Sequence, residues 1–246
     1  MSGIVFDPPL TEAVIVGRRS MYTMDVDIGG ETVVCHCPTR GRVGNIDLSE
    51  RPCLLSPSTD PRRRTPYTVE AVSLDEPGTD DKSWVGINQN AANRYVEHYL
   101  CNGGLADMVR SDGPVRREVA VGDSKLDFAV GDTYIEVKTP LQVIQADIPP
   151  HVRTLPSRPF SSTDRMVRHL RELADNLDGN GRAVMLLVFI YDNPGFRVVE
   201  PSTNHGEVSA AVAECVSRGV EIWQANLRMH PGGVVMTDHR MIGTPS

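Results

Sequence analysis

The chain has 246 residues, of which 40% are hydrophobic and 23% charged, as in an ordinary folded protein of one large or two small domains. The formal net charge of -7 counts against a nucleic-acid partner, because nucleic-acid binders usually have a basic face, but a local basic patch can act within an acidic chain. The most apolar run, VMLLVFI, is too short to span a bilayer, and five scattered cysteines argue against a disulfide framework. We therefore expect a reduced, cytoplasmic protein with no membrane association.

Residues 1–80 are predicted to form a small β-barrel or sandwich. Short runs that alternate apolar and polar residues recur there, namely EAVIVG, YTMDVDI, ETVVCHC and YTVEAVSL. Glycine and proline turn signals separate these runs, and no strong helical pattern occurs among them. The acidic, turn-rich segment DEPGTDDKS follows, and we place a domain boundary there, between residues 80 and 81.

The remaining residues, 81–246, alternate helices and strands. NQNAANRYVEHYLCNGG predicts a helix capped by Asn88 or Asn90, and three short strands follow it, VRREVAV, KLDFAV and TYIEVKT. After a proline-rich loop over residues 140–162, a second helix is predicted to begin with Ser162 or Thr163 as its cap. The strand AVMLLVFIY, a helix near residues 208–218 and the strand VEIWQ come next. This order predicts a mixed sheet flanked by helices, of α+β or α/β class.

Two carboxylates and a lysine in neighbouring strands are the strongest candidates for chemistry. Glu136 and Lys138 are two residues apart in one predicted strand, so they project from the same face, and Asp127 precedes them across a tight turn. Paired carboxylates are suitable ligands for Mg²⁺ or Mn²⁺, and a nearby ammonium group can offset charge that develops during phosphodiester hydrolysis. Taken alone, the triplet is equally compatible with a solvated hairpin that contains a cross-strand ion pair.

Several ordered patches resemble the sugar fermentation stimulation (SfsA) family over nearly the whole chain. They are CHCPTRGR, RRRTPYTVEAV, WVGINQNAANRYVEHYL, EVAVGDSKLDFAV, YIEVKT and SSTDRMVRHLREL. The resemblance implies an N-terminal OB-like β-barrel over residues 1–80 and a PD-(D/E)XK nuclease-like domain over residues 81–246. It also implies a nucleic-acid partner, for which DNA is favoured over RNA without RNA being excluded, while a homodimer is left open.

The resemblance assigns roles to particular residues of the nuclease-like part. Asp127, Glu136 and Lys138 match the family's catalytic positions, and Asp127, Glu136 and Glu97 match its metal positions. For Glu97, an exposed helix charge is an equally good interpretation. The loops near these positions depart from the family pattern, as where Pro140 follows the catalytic strand, so the identity of the substrate stays open.

Seven arginines in the predicted barrel are candidates for nucleic-acid contacts, because OB-type barrels bind single strands through a basic groove with aromatic platforms. They are Arg18, Arg19, Arg40, Arg42, Arg62, Arg63 and Arg64, and a scattered solvated surface is the alternative. Cys35 and Cys37 lack a second pair with which to hold a metal and are expected to be buried. His169 is expected either to contact substrate or to pack within the fold.

These observations favour a nucleic-acid-binding, Mg²⁺- or Mn²⁺-dependent nuclease that hydrolyses phosphodiester bonds. A DNA-binding regulator of sugar or maltose metabolism, which uses the nuclease fold without cleavage, is the alternative. A protein-interaction scaffold is a third hypothesis, which only the acidic net charge supports.

Overall fold

The computed structural model describes residues 3–110, 112–122, 124–156, 159, 163–175, 177, 181–198 and 202–243. The chain begins with a two-residue strand, β1 (Ile4–Val5), and continues with six strands that form the N-terminal sheet. These are β2 (Thr11–Arg18), β3 (Thr23–Ile28), β4 (Glu31–His36), β5 (Pro52–Pro57), β6 (Tyr67–Ser73) and β7 (Trp84–Gly86). Their order is β4-β3-β2-β5-β6-β7, and a parallel bridge between His36 and Thr68 joins β4 to β6. Strands β2 to β6 therefore close into the small barrel that the sequence predicts.

The second sheet is built from the rest of the chain together with β1, and it carries the helices. Its elements are α1 (Gln89–Cys101), a 3-10 turn (Ala106–Met108), β8 (Val115–Val121), β9 (Ser124–Val130), β10 (Thr133–Lys138), α2 (Asp164–Asp175), β11 (Arg182–Phe189), α3 (His205–Ser217), β12 (Glu221–His230) and β13 (Gly233–Met241). The strand order is β1-β13-β12-β11-β10-β9-β8. Strands β10, β11 and β12 are parallel, whereas the outer pairings are antiparallel. The predicted mixed sheet with flanking helices is confirmed.

The central strand β11 separates two layers of the hydrophobic core. Val184, Leu186 and Val188 pack in one cluster with the buried face of α1, and the alternate residues of β11 pack in a second cluster that also contains residues of α2. The predicted strand that is apolar on both faces is therefore confirmed, as expected for the parallel centre of a sheet. Cys35 and Cys37 are also buried, as predicted.

The barrel is attached directly to the second sheet at the end of β7. The backbone N–H of Gly86 donates to the carbonyl of Ile190 at 2.8 Å, just beyond the end of β11. A β-carbon at position 86 would lie 2.5 Å from the β-carbon of Ile190, so only glycine permits this approach. This contact sets the barrel against the sheet that carries the candidate site.

Several details of the elements differ from the sequence predictions. Asn88 occupies the N-cap position of α1 but makes no capping hydrogen bond, because its side chain donates to Glu70 at 2.7 Å. Thr163 precedes α2 and donates to Asn204, whereas Ser162 lies outside the described residues. Strands β1, β5, β7 and β13 were not predicted. Within the described part of the chain, no helix has the length and apolar character needed to cross a bilayer.

Candidate metal-dependent active site

The hairpin of β9 and β10 brings Asp127 next to Glu136. The two strands are antiparallel, with Phe128 opposite Ile135, and extending this register by one residue places Asp127 opposite Glu136. Residues that face each other across an antiparallel pair project from the same side of the sheet. The two carboxylates therefore share one face near the end of β10, as the spacing in the sequence predicts.

Asp127 is oriented by two hydrogen bonds that come from different elements. The side-chain amide of Asn93 on α1 donates to Oδ1 at 2.8 Å, and the backbone N–H of Val137 donates to Oδ2 at 2.8 Å. Burial and the negative charge of Glu136 together raise the pKa of Asp127, and the two hydrogen bonds and the charge of Lys138 only partly offset them. A second positive charge at this position would therefore stabilise the ionised carboxylate.

Glu136 is the most enclosed acidic side chain of the site, with 2% of its surface exposed. Its Oε1 accepts hydrogen bonds from the ammonium of Lys138 on the same strand and from the imidazole of His169 on α2. Its Oε2 is buried and has no hydrogen-bond partner among the described residues. A buried charged oxygen without a partner is costly, so this atom is suited to a ligand that supplies positive charge.

The position of the proton on His169 follows from its two neighbours. Arg165, one turn earlier on α2, approaches Nε2 of His169 with its Nε at 3.4 Å, and a guanidinium can only donate. Nε2 of His169 is therefore the acceptor, and Nδ1 carries the proton that is donated to Glu136. This arrangement fixes the rotamer of the glutamate. His169 is packed within the fold and touches the site, and its contact with substrate stays a prediction.

The donor set fits a small, hard divalent cation. Each oxygen of Asp127 accepts one hydrogen bond and can accept another interaction. Oε2 of Glu136 accepts no hydrogen bond from any described residue. The described residues contain no cluster of three or more His, Cys, Asp or Glu side chains arranged to hold a metal. Two carboxylates are nevertheless enough for Mg²⁺, which usually keeps several waters and takes oxygens from substrate phosphates.

Glu97, the third predicted metal ligand, lies one helical turn beyond Asn93 on α1. Its side chain is partly exposed, and its Oε2 accepts a hydrogen bond from Nη1 of Arg117 on β8 at 3.2 Å. No described contact joins it to Asp127 or Glu136. Its role as a metal ligand stays a prediction.

Several of the seven predicted nucleic-acid arginines have contacts within the barrel. Arg18 donates to the backbone carbonyls of Thr39 at 2.6 Å and Gly41 at 2.8 Å, which ties the loop after β4 to β2. Arg19 pairs with Asp25 and Arg62 pairs with Asp60. Arg18 therefore has a structural role in the barrel that the sequence did not indicate.

Four of the seven arginines remain as candidates for contact with a ligand, and their surroundings differ. The guanidinium of Arg40 stacks 5.5 Å from the centre of the exposed Tyr22 ring, and Arg42 is half-buried. Arg63 and Arg64 are exposed in the loop between β5 and β6, and neither side chain makes a hydrogen bond or ion pair within the described ranges. This loop therefore offers accessible positive charge on the barrel surface.

Two residues at the site were missed by sequence reasoning, Asn93 and Arg165. Asn93 lies one turn before Glu97 on a predicted helix, a spacing that indicates a shared face but not a contact with Asp127. Arg165 has the same relation to His169 on α2. The helical spacing was visible in the sequence, but the strand against which each helix packs was not.

Comparison with known proteins agrees with this architecture. Residues 16–87 match the family model of the SfsA N-terminal OB domain, and residues 90–233 match that of the sugar fermentation stimulation protein RE domain. The sugar fermentation stimulation protein homolog of Methylobacterium nodulans is 31% identical over 94% of this chain and 95% of its own. That of Microcystis aeruginosa is 29% identical over 92% of each chain.

One solved structure covers the full length of the fold. It is that of Pyrococcus furiosus SfsA in complex with Ca²⁺, which covers 99% of both chains with a TM-score of 0.72 and 17% sequence identity. At this level of identity, the likeness shows the fold. This chain and Pyrococcus furiosus SfsA therefore share both the barrel and the helix-flanked mixed sheet.

Proposed function

This chain belongs to the sugar fermentation stimulation protein family, and from the geometry of its site we propose that it binds nucleic acid and hydrolyses phosphodiester bonds with a divalent cation. The observation that carries the proposal is the buried, unpartnered Oε2 of Glu136, which lies beside a second carboxylate whose pKa is raised. Such an arrangement is costly for a purely structural hairpin, because two buried carboxylates repel each other. It suits a site whose positive charge arrives with the ligand.

In the proposed reaction, Asp127 and Glu136 would hold Mg²⁺ or Mn²⁺. When bound, the cation would polarise a phosphoryl oxygen and lower the pKa of a coordinated water. Asn93 and the backbone of Val137 fix the direction of Asp127, and His169 fixes that of Glu136. These contacts restrict both carboxylates to one geometry before substrate arrives.

Lys138 is the group proposed to act on the reacting atoms. Its ammonium lies against Oε1 of Glu136, while about a quarter of its side chain remains exposed, so it is held at the site and is still accessible to substrate. From there it orients the attacking water or offsets the negative charge that develops on the phosphoryl group.

The solved relative gives independent support for a cation. Pyrococcus furiosus SfsA was solved with Ca²⁺, a hard cation that takes oxygen ligands in proteins. Its fold covers nearly the whole of this chain, so a cation site in the same architecture is compatible with our proposal. We propose Mg²⁺ or Mn²⁺ for catalysis and DNA as the favoured substrate.

A second function is supported by the basic loop of the barrel. Arg63 and Arg64 are exposed without ion pairs among the described residues, and this charge would serve a DNA-binding regulator as well as a nuclease. The two functions differ in what Asp127 and Lys138 contribute. If the protein is a regulator, replacing Asp127 or Lys138 would not alter DNA binding. Added metal would then not lead to cleavage of the DNA.

The test is a cleavage assay on labelled single- and double-stranded DNA and RNA, with Mg²⁺, Mn²⁺ or a chelator. We expect Lys138→Met to slow cleavage by about 100-fold or more, the usual scale for removing a group that stabilises transition-state charge. Lys125→Met is the matched control, because Lys125 is an exposed lysine on the adjacent strand β9. Cleavage unaffected by both Lys138→Met and Asp127→Ala would sink the nuclease proposal, and metal-independent binding without cleavage would favour the regulator.

A further inference from the structure

A cleft between the barrel and the second sheet lies beside the candidate site. We propose that this cleft is a channel for one strand of nucleic acid, whose phosphates are held by Arg63 and Arg94 and whose bases stack against Phe6. The inference rests on the proposed function in one respect, because it takes nucleic acid as the ligand. Beyond that function, it specifies the path of the nucleic acid across the protein and a single-stranded ligand.

The cleft has walls from three parts of the chain and encloses about 1060 Å³. The barrel contributes the loop between β5 and β6 together with His36, and the second sheet contributes the exposed face of α1 and Arg117 of β8. The segment from Ile4 to Leu10, which joins β1 to β2, lines the third side. A ligand in this cleft would touch both domains at once.

Two guanidiniums in the cleft are available to a ligand. Arg63 and Arg94 are both exposed, one on each wall, and neither guanidinium makes a hydrogen bond or ion pair with any residue that the structure describes. A third arginine of the cleft, Arg117, is already paired with Glu97. Two opposed, unpaired positive charges suit a ligand with repeated negative charge, such as a phosphodiester backbone.

The acidic residues of the cleft offset only part of this charge, because two of the three already have other partners. Glu70 is buried and accepts hydrogen bonds from Ser56 at 2.6 Å and Asn88 at 2.7 Å, so it lies beneath the surface that a ligand would meet. Asp60 is paired with Arg62. Asp7, on the N-terminal segment, is exposed at the cleft. The net effect is a polar floor with positive charge on its two walls.

An aromatic surface accompanies the charges. Phe6 is half-buried in the cleft wall and is backed by Tyr95 of α1, with ring centres 6.5 Å apart. The imidazoles of His36 and His98 line the same cleft. A supported aromatic ring next to arginines is the combination with which proteins bind unpaired bases, because every base presents a stacking face.

Helix α1 connects the cleft to the candidate site. Asn90, Arg94 and His98 recur at intervals of four residues and line the cleft, while Asn93 on the adjacent face of the same helix contacts Asp127. Arg94 in the cleft wall and Asn93 at the candidate site are therefore adjacent residues of one helix. The loop between β5 and β6 corresponds to a loop with which OB-type barrels bind oligonucleotides.

The size of the cleft favours a single strand. A volume of about 1060 Å³ is close to the upper range of small-ligand pockets and matches a few nucleotides of one strand. Stacking on Phe6 also requires a base that is not paired. A duplex could reach the arginines only from outside the cleft, without the aromatic contact.

The experiment measures binding of a fluorescent oligo(dT) of about 12 nucleotides, within the site sizes of OB-type folds, in a chelator that prevents cleavage. We expect Arg63→Gln/Arg94→Gln to weaken binding about tenfold at low salt. Its plot of log K against log salt should be shallower by roughly 1.4, or about 0.7 for each lost phosphate contact. Arg153→Gln/Arg228→Gln is the matched control, since it removes two exposed arginines outside the cleft and should bind within about twofold of the unaltered protein.

A further variant and a competitor test the aromatic contact and the single strand. Phe6→Leu keeps an apolar side chain against Tyr95 but removes the stacking face, and we expect about fivefold weaker binding or more. An unlabelled duplex should compete at least about tenfold less well than the single strand at equal nucleotide concentration. Equal competition would overturn the claim of a single strand, and melting temperatures of the variants show whether each remains folded.

The outcomes separate this inference from the proposed function. If both double variants weaken binding equally, or if no oligonucleotide binds at low salt, the cleft is not the channel. If both double variants weaken binding equally, metal-dependent cleavage by the protein would still support the proposed function. Conversely, selective weakening by Arg63→Gln/Arg94→Gln in a protein that never cleaves would support the channel and overturn only the nuclease.

Discussion

Replacing Glu136 by glutamine tests the candidate site most directly, because the change is nearly isosteric. The amide oxygen of Glu136→Gln can still accept from Lys138 and His169, as Oε1 does now. The amide nitrogen takes the place of the buried, unpartnered Oε2. The variant therefore keeps the packing and removes only the negative charge that a cation would need. We expect the stability of the metal-free protein to change by less than about 1 kcal/mol.

The magnitude with metal follows from mass action. A ligand present at 100 times its Kd stabilises the folded state by about 2.7 kcal/mol, which raises the melting temperature of a chain of this size by roughly 5–11 °C. Even changes in the second shell of a metal site weaken binding by about 10–100-fold, so losing a carboxylate ligand should cost about 100-fold or more. At the same metal concentration, the stabilisation of Glu136→Gln then falls to about 0.4 kcal/mol, or a shift of roughly 1–2 °C.

The assay is thermal denaturation across a titration of Mn²⁺, with Glu221→Gln as the matched control. Glu221 is a partly buried glutamate on β12, paired with Arg182 near the start of β11, away from the candidate site. Its replacement should leave the Mn²⁺-dependent shift intact. If Glu136→Gln keeps the full shift of the unaltered protein, Glu136 is not a ligand and our interpretation of its unpartnered oxygen is wrong.

Three further changes test the surroundings of the site and the fold. His169→Ala should weaken Mn²⁺ binding by about 10–100-fold in the same titration, because the ligand glutamate loses its orienting hydrogen bond. Burial alone would raise the pKa of Glu221, but hydrogen bonds from Arg182 and Trp223 outweigh it and hold that pKa below its usual value. The ionised form of Glu221 therefore stabilises the fold above about pH 5, and this stabilisation is lost on acidification. In urea denaturation, Glu221→Gln should be less stable than the unaltered protein at pH 7. Its free energy of unfolding should also fall less between pH 7 and pH 3. Tyr99→Phe should lower the free energy of unfolding by about 1–3 kcal/mol, because a buried backbone N–H of β13 loses its acceptor at 2.7 Å; an unchanged denaturation midpoint would contradict this.

Much of the fold was predictable because local patterns depend only on the chain itself. Strands β2 and β3 alternate in burial as half-buried strands do, and β11 is apolar from Ala183 onward because both of its faces are covered. Strand β13 escaped prediction because its pattern mixes exposed and buried residues without a clean alternation. Strand β1 is too short to carry any periodic signal, and its pairing with β13 joins the two ends of the chain.

For the site, the sequence by itself determined that Asp127, Glu136 and Lys138 share one face. A period of two along a strand and a tight turn between strands are local properties, so no knowledge of the rest of the chain was needed. Only the tertiary structure decided that Asn93 and His169, 34 and 33 residues away from the carboxylates they touch, orient Asp127 and Glu136. Those contacts depend on which face of the sheet each helix covers, and a helical pattern shows an apolar face without its partner.

The same limit explains the arginines. Their number in the barrel was evident from the sequence, but whether a guanidinium turns inward, as Arg18 does, or stays exposed, as Arg63 does, depends on which backbone carbonyls and carboxylates surround it after folding. Arg94 and Phe6 gave no signal at all, since the cleft that unites them with Arg63 exists only where the barrel meets the second sheet. Local patterning determined the pieces of this protein, and the docking of helices and barrel onto the sheet decided which side chains face one another.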